Sequence, residues 1–314
     1  MRVPDDLSGK PLDAVVRTLF SLTWGKARSC IETGKVQLDG QTVTNTTRRV
    51  RAGVDVTLRM SAPRPQHTRR ADLEADRIIH IDAHVVVVNK PAGISTIPYG
   101  DEEDPDTLDA RVRNYLSRQQ TERGGGRPAL GIVHRLDKET SGLIVFTRTW
   151  LAKKSLTDQF RAHTIGRRYL AIVHGDLRTA RTIRSHLVAD RGDGLRGSTQ
   201  RPGQLEKGGS SPQLAITHVE PVEKLRGATL VACRLETGRT HQIRIHLSEA
   251  GHPLLGERVY IRGFQGETIP APRLMLHAAE LGFVHPALQR PMSFTQPLPQ
   301  DIEETLARLA VVPK

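Results

Sequence analysis

Cysteine is nearly absent from this chain. Cys30 and Cys233 are the only two, far apart and in no Cys-x-x-Cys pair, so neither a disulfide framework nor a cysteine zinc site is expected. The thirteen histidines are scattered, and the nearest approach to a pair, His241 and His246, has no adjacent glutamate of the zinc-protease kind. No metal is expected. A Rossmann glycine run and a P-loop are both missing. Long apolar runs are missing too: the most apolar, Val85 to Val88, is far too short to cross a bilayer. The opening Met-Arg-Val-Pro-Asp-Asp lacks the apolar core of a signal peptide. These absences describe a cytoplasmic protein with no membrane partner, and no internal repeat is evident.

What the chain has in excess is positive charge. Over 314 residues the net charge is +12 and the pI about 10.2, a balance that suits a polyanionic partner. The excess is uneven, since residues 1–70 carry thirteen Lys/Arg against six Asp/Glu. Clustering of this kind favours nucleic acid over a merely basic surface.

The length allows two domains, and the pattern divides into 1–62, a linker at 63–75 and a larger unit at 76–314. In the first, Pro11 to Phe20 puts Val15, Val16, Leu19 and Phe20 on one helical stripe. A second helix runs from Thr23 as cap to Gly34 as stop. Asp39-Gly40 between alternating residues predicts a hairpin, and Val54, Val56 and Leu58 a further strand. This pattern resembles the RNA-binding module of a small-subunit ribosomal protein, which implies that Lys26 and Arg28 face phosphates. The linker is rich in Pro and Arg. The large unit is expected to alternate short strands with single helices, with Ile78 to Ile81 and Val85 to Val88 as paired strands and Thr107 to Leu116 as a helix. Thr121 to Pro128 and Ala189 to Pro212 are expected to be long loops.

The most informative segment is Gly131-Ile-Val-His-Arg-Leu-Asp-Lys-Glu-Thr-Ser-Gly-Leu143. It sets one carboxylate, Asp137, between Arg135 and Lys138, and nearby positive charge favours the ionised, nucleophilic form. The small residues after it let backbone or substrate come close. Three further segments stand in order around it: Val86-Val-Val-Asn-Lys-Pro-Ala-Gly-Ile94, Arg167-Arg-Tyr-Leu-Ala-Ile-Val-His-Gly175 and Leu235-Glu-Thr-Gly-Arg-Thr-His-Gln-Ile-Arg-Ile-His-Leu247. Leu276-His-Ala278 and His285-Pro286 close the series. Together they resemble the RluA-type pseudouridine synthases over most of residues 76–290.

That resemblance implies an α+β fold: a small RNA-binding module, then a catalytic domain on a mixed, mostly antiparallel sheet flanked by helices and loops. It also implies an isomerase of uridine in structured RNA. The reaction breaks the bond from uracil nitrogen to ribose, turns the base and rejoins it through carbon, so it needs no cofactor. What it needs is a carboxylate at the sugar, and the family pattern assigns Asp137. Attack on the sugar, attack on the ring and removal of a ribose proton all remain open.

Tyr169 would stack on uracil or act as base on the ring carbon. Arg244, in a helix that Thr240 could cap and that Ile243 and Leu247 would bury, would pair with Asp137. Arg239 suits a phosphate contact better, although the two arginines could exchange roles. Arg135 would fill the stack left by an everted base. His134 would pack or touch phosphate, and Leu276 would lie beneath the uracil or simply in the core. The chain departs from the pattern at Arg167, where lysine is usual, and at Ile97-Pro98, where His-Pro is usual.

Large-subunit rRNA is the first expectation for the substrate and tRNA the second, with the protein acting as a monomer. The rival from another class is a non-catalytic RNA-binding or assembly factor. A zinc deaminase is disfavoured by the missing His/Cys set.

Overall fold

The computed structural model describes residues 1–44, 46, 48–61, 73–98, 106–121, 129–191, 195–199 and 211–311. It divides into two compact units, Met1–Asp72 with Ile97–Arg111, and Leu73–Thr96 with Val112–Lys314. Most of the expected linker, the expected loop after Thr121 and much of the one after Ala189 lie outside the described residues.

The first unit contains α1 (Leu12–Leu19), α2 (Trp24–Glu32), β1 (Val36–Leu38), β2 (Gln41–Val43) and β3 (Val56–Leu58). Val15 and Val16 of α1 are fully buried with Ala27 and Ile31 of α2 against Val36 and Val56. The Thr23 hydroxyl caps α2 by accepting from Lys26 N–H at 3.3 Å. Asp39 and Gly40, both at positive φ, turn β1 back onto β2, and β3 flanks β1 on its other side.

The second unit begins with β4 (Ile78–Ile81) and β5 (Val85–Lys90). Helix α3 (Leu108–Thr121) follows, with the division between units falling inside it. Then come β6 (Gly131–Ile132), β7 (Ser141–Thr147), α4 (Trp150–Arg161), β8 (Gly166–His174), β9 (Arg181–Val188), β10 (Gly197–Thr199), β11 (Gln213–Lys224) and β12 (Ala228–Leu235). The last elements are α5 (Gln242–Glu249), β13 (Leu276–Val284), β14 (Pro291–Thr295) and α6 (Gln300–Leu309). One sheet runs β10-β9-β11-β12-β8-β13-β7-β5-β4, with β14 on β13 and β6 on β7. Every pairing is antiparallel except β13 with β7.

The expected strand–helix alternation fails between Gly166 and Leu235, where five strands follow one another with no described helix. Antiparallel neighbours need only a turn, whereas parallel ones need a crossover. The expected loop after Ala189 also holds a strand, β10, whose Ser198 is fastened by backbone N–H and hydroxyl to Glu249 of α5.

The central strands are apolar because both their faces are covered. All seven residues of β7 are buried, and each large apolar side chain there contributes roughly 1.5–3 kcal/mol. Helix α4, capped by Thr149, lays Ala152 and Leu156 on Leu143, Val145 and Leu281. Helix α6 lays Ile302 and Leu309 on Ile172, Leu230 and Met275. Ile245 of α5 packs with Leu187 and Ala215.

Candidate active site

Asp137 lies in the segment between β6 and β7, and the backbone on each side of it is held. The Thr96 hydroxyl donates to Leu136 C=O at 2.8 Å and accepts from Leu136 N–H at 3.1 Å, both out of contact with water. The Lys138 C=O accepts from Lys90 Nζ at 2.9 Å and Gly93 N–H at 2.8 Å. Lys90 is fully buried and also donates to the carbonyls of Pro91 and Ile94. Burial pushes its amine down to about 7; Asp137 and Glu139 oppose the shift and Arg273 adds to it. Gly142 explains the small residues after Asp137. At φ +111 it passes so close to β13 that a Cβ would meet Ala278 O at 2.3 Å. The close approach is by backbone.

The cation facing Asp137 comes from α5 rather than from its chain neighbours. Arg244 Nη1 lies 3.7 Å from Asp137 Oδ2, the two side chains being 11% and 21% exposed. Arg135 instead donates to the Thr240 hydroxyl at 2.6 Å. Arg244 is itself gripped by Glu257, through Nε at 2.7 Å and Nη2 at 2.8 Å. The Glu257 side chain is wholly buried, and its Oε1 also accepts from the N–H groups of Arg258, Val259 and Tyr260. Burial alone would raise this carboxyl. Arg244 and the backbone donors outweigh it, so the pKa falls below the ordinary value. The Tyr260 ring lies 5.2 Å beneath the Arg244 guanidinium.

Of the two arginines, Arg244 is the one that lies against Asp137, while Arg239 donates from Nε to Leu214 C=O. Thr240 does not cap α5. The residue before the helix is His241, at φ +58 with no side-chain cap. Gln242 ties down the turn before the helix, accepting from Arg239 N–H and the Thr237 hydroxyl and donating to Ile216 C=O. Ile243 and Leu247 are buried as expected.

Tyr169 stands in β8, 7% exposed, opposite Ala278 of β13 and Cys233 of β12. Burial raises its phenol pKa; Arg167 opposes this and the Asp137 charge adds to it, so carboxylate and phenol feel each other. Leu276 pairs with Ala171 and is therefore a diagonal neighbour of Tyr169 on the same face of the sheet, 3% exposed. His134 packs. It accepts Val145 N–H at Nε2, its ring is 4.7 Å from Phe160, and burial, reinforced by Arg167, lowers its pKa to about 3. Arg167, where lysine was the usual residue, covers Phe160 at 5.4 Å and donates to Glu236 C=O.

Lys26 and Arg28 belong to the other unit. Lys26 is exposed, while Arg28 lies 5.5 Å over Trp24 and pairs through Nε with the buried carboxylate of Asp13 at 2.8 Å. Glu257, Tyr260 and Lys90 have no role legible in the sequence, and His241 stands out there only for its spacing from His246. Gly256-Glu257 followed by Tyr260 offered only a lone acid with no visible partner. Among the described residues no cluster of His, Cys, Asp or Glu could hold a metal, and no helix is long and apolar enough to cross a membrane.

A carboxylate pinned by its backbone thus faces an arginine held by a second acid, with the Tyr169 phenol close enough to feel its charge. Residues 84–249 match the RNA pseudouridylate synthase family, and the chain belongs to it as an RNA pseudouridine synthase. The ribosomal large subunit pseudouridine synthase D of Zymomonas mobilis is 34% identical over 306 residues, covering 95% of this chain and 93% of that one. The protein of the same name from Xylella fastidiosa is 32% identical, covering 98% and 91%. Among solved structures, human RNA pseudouridylate synthase domain containing 4 shares the fold, with a TM-score of 0.58 at 24% identity over 74% of this chain and 93% of that one.

Proposed function

We propose that this chain converts uridine to pseudouridine in large-subunit ribosomal RNA, with Asp137 as the group that acts on the ribose. The observation that carries the reading is the Asp137–Arg244–Glu257 series, in which a wholly buried acid fixes the arginine that faces a partly open carboxylate. RNA binding alone does not need that arrangement. Arg244 holds Asp137 turned toward the sugar. Tyr169 stacks on the uracil or takes a proton from it, and Leu276 supports the ring from the same face of the sheet.

Everting the base from folded RNA costs roughly a few kcal/mol. Arg135 offsets part of this by leaving Thr240 and entering the vacated stack. Arg239 contacts phosphate. Residues 1–62 form a separate RNA-binding module in which Lys26 and Arg28 meet phosphates, consistent with the excess of positive charge there. Ribosomal RNA is favoured over tRNA by what the relatives' names say they act on. The protein works as a cytoplasmic monomer.

The test uses unmodified RNA carrying tritium at C5 of uridine. The wild type should release label, and Asp137→Asn should release none while still binding RNA. Release at the wild-type rate from Asp137→Asn would refute the assignment. Pseudouridine mapping of cellular RNA with and without the gene then decides the substrate: loss of tRNA sites alone would replace ribosomal RNA with tRNA.

A further inference from the structure

His241 joins the turn after Thr237 to α5 with a left-handed backbone, φ +58 and ψ 18. A residue other than glycine holds that conformation at some cost, and such strain concentrates where a side chain must be aimed. The ring lies between two groups. Its Nδ1 is 2.7 Å from the Tyr260 hydroxyl, and its Nε2 is 4.0 Å from Asp137 Oδ1. Arg244 faces the other oxygen, Oδ2. Each carboxylate oxygen thus has one nitrogen-bearing side chain directed at it.

The tautomer follows from the neighbours. Burial raises the Tyr260 phenol, so it stays protonated and able to donate. Burial lowers the His241 imidazole, with Asp137 opposing, so the ring is held toward its neutral form with a single N–H. If that proton sat on Nδ1, the lone pair of Nε2 would face a carboxylate. With the phenol donating to Nδ1, the proton sits on Nε2 and faces Asp137. The second arrangement satisfies both contacts. Tyr260 is in turn fixed by its backbone N–H to Glu257 Oε1 and by the Arg244 guanidinium over its ring.

We propose that Tyr260 and His241 form a hydrogen-bonded pair that orients Asp137, Tyr260 setting the imidazole tautomer and His241 Nε2–H steadying Oδ1 while Arg244 holds Oδ2. Two donors on two oxygens fix the rotation of the carboxylate as well as its position. At 4.0 Å the Nε2 contact is charge–dipole in kind. It tightens when a ribose seats against Asp137, as contacts in unliganded sites commonly do. Both are positioning residues, and the inference rests on Asp137 being the group that acts on the sugar.

The experiment measures single-turnover tritium release by the full chain on unmodified large-subunit rRNA labelled at uridine C5. It compares Tyr260→Phe, His241→Gly and the double variant. Glycine suits the left-handed backbone, so His241→Gly removes the imidazole without adding strain, and thermal unfolding verifies that each variant is folded. Each single variant should be slower by about 10- to 100-fold, the range for a catalytic group displaced by up to 1 Å, with RNA affinity unchanged. The double variant should be no slower than His241→Gly, because Tyr260 acts only through the ring, and imidazole in the buffer should restore part of that rate. An unchanged rate in Tyr260→Phe, losses that multiply in the double variant, or no rescue by imidazole would each overturn the proposal. If Asp137→Asn also turned over, the underlying assignment would fail. If it were inert while the single variants matched the wild type, only the present inference would.

Discussion

Replacing Glu257 with glutamine tests whether the acid behind the arginine governs both stability and turnover. The side chains are nearly isosteric, so cavity effects are small. The change is in donors and charge. Oε1 accepts three backbone N–H groups, so the amide oxygen of glutamine must occupy that place. Its NH2 then meets Arg244 Nε, donor against donor, where Oε2 had accepted at 2.7 Å. A charge-assisted bond is lost, and Arg244, 11% exposed, keeps Asp137 as its one counter-charge among the described residues. Removing one partner of a buried pair costs about 3–5 kcal/mol.

Turnover should fall as well, about 10- to 100-fold, because Arg244 loses the anchor that sets its distance to Asp137. Urea unfolding and single-turnover tritium release read the two effects. The pH dependence has a definite sign. The folded pKa of Glu257 lies below its ordinary 4.5, so its contribution is complete above that value and is lost as pH falls through the lower, folded one. The stability gap between wild type and Glu257→Gln should therefore shrink in acid. A variant within about 0.5 kcal/mol of the wild type, turning over normally, would refute the role given to this pair.

Two further variants test the frame beneath Asp137. Lys90→Met takes the donor from the carbonyls of Pro91, Ile94 and Lys138 and should slow turnover about 10-fold by loosening the Asp137 segment. Because Lys90 falls from 10.5 to about 7 on folding, the unfolded chain holds that proton more tightly between those values. Wild-type stability should then rise relative to Lys90→Met from pH 7 to about 10, and a gap independent of pH would contradict this. Gly142→Ala would drive a Cβ into Ala278 O at 2.3 Å from a backbone at φ +111. Strain and a broken β7–β13 contact should together cost at least ~3 kcal/mol, and thermal unfolding near that of the wild type would count against it.

The sequence showed whatever depended on neighbours close in the chain. The Asp39-Gly40 turn, the Thr23 cap, the β4–β5 pair and the buried stripe of α5 each follow from residues within one or two turns of each other. Asp137 and Arg244 were paired through an ordered set of motifs, and the structure brings them to 3.7 Å. Glu257 was invisible because its partner lies on a separate element, and nothing about Gly-Glu-Arg reveals a fully buried acid. Lys90 was hidden for the opposite reason: lysine is seldom buried, and only the three converging carbonyls account for it. The Thr240 cap fails because α5 starts at Gln242, after a left-handed His241, and the Thr240 hydroxyl accepts from Arg135 instead. The run of five strands was misjudged because turns that join antiparallel neighbours leave a weaker mark than helices do.

The one parallel seam among the described residues has a consequence for how this enzyme comes into being. Ser141 meets His277 across it, 136 residues later in the chain, and the strand that supplies Leu276 also closes the gap between the two halves of the sheet. During synthesis Asp137, Tyr169 and Arg244 are all made before that strand exists. A ribosome-bound intermediate ending short of Leu276 would hold every proposed reacting group and still lack the side chain proposed to support the base. Completing the proposed site therefore waits on the entropically costly closure of a pairing distant in the chain.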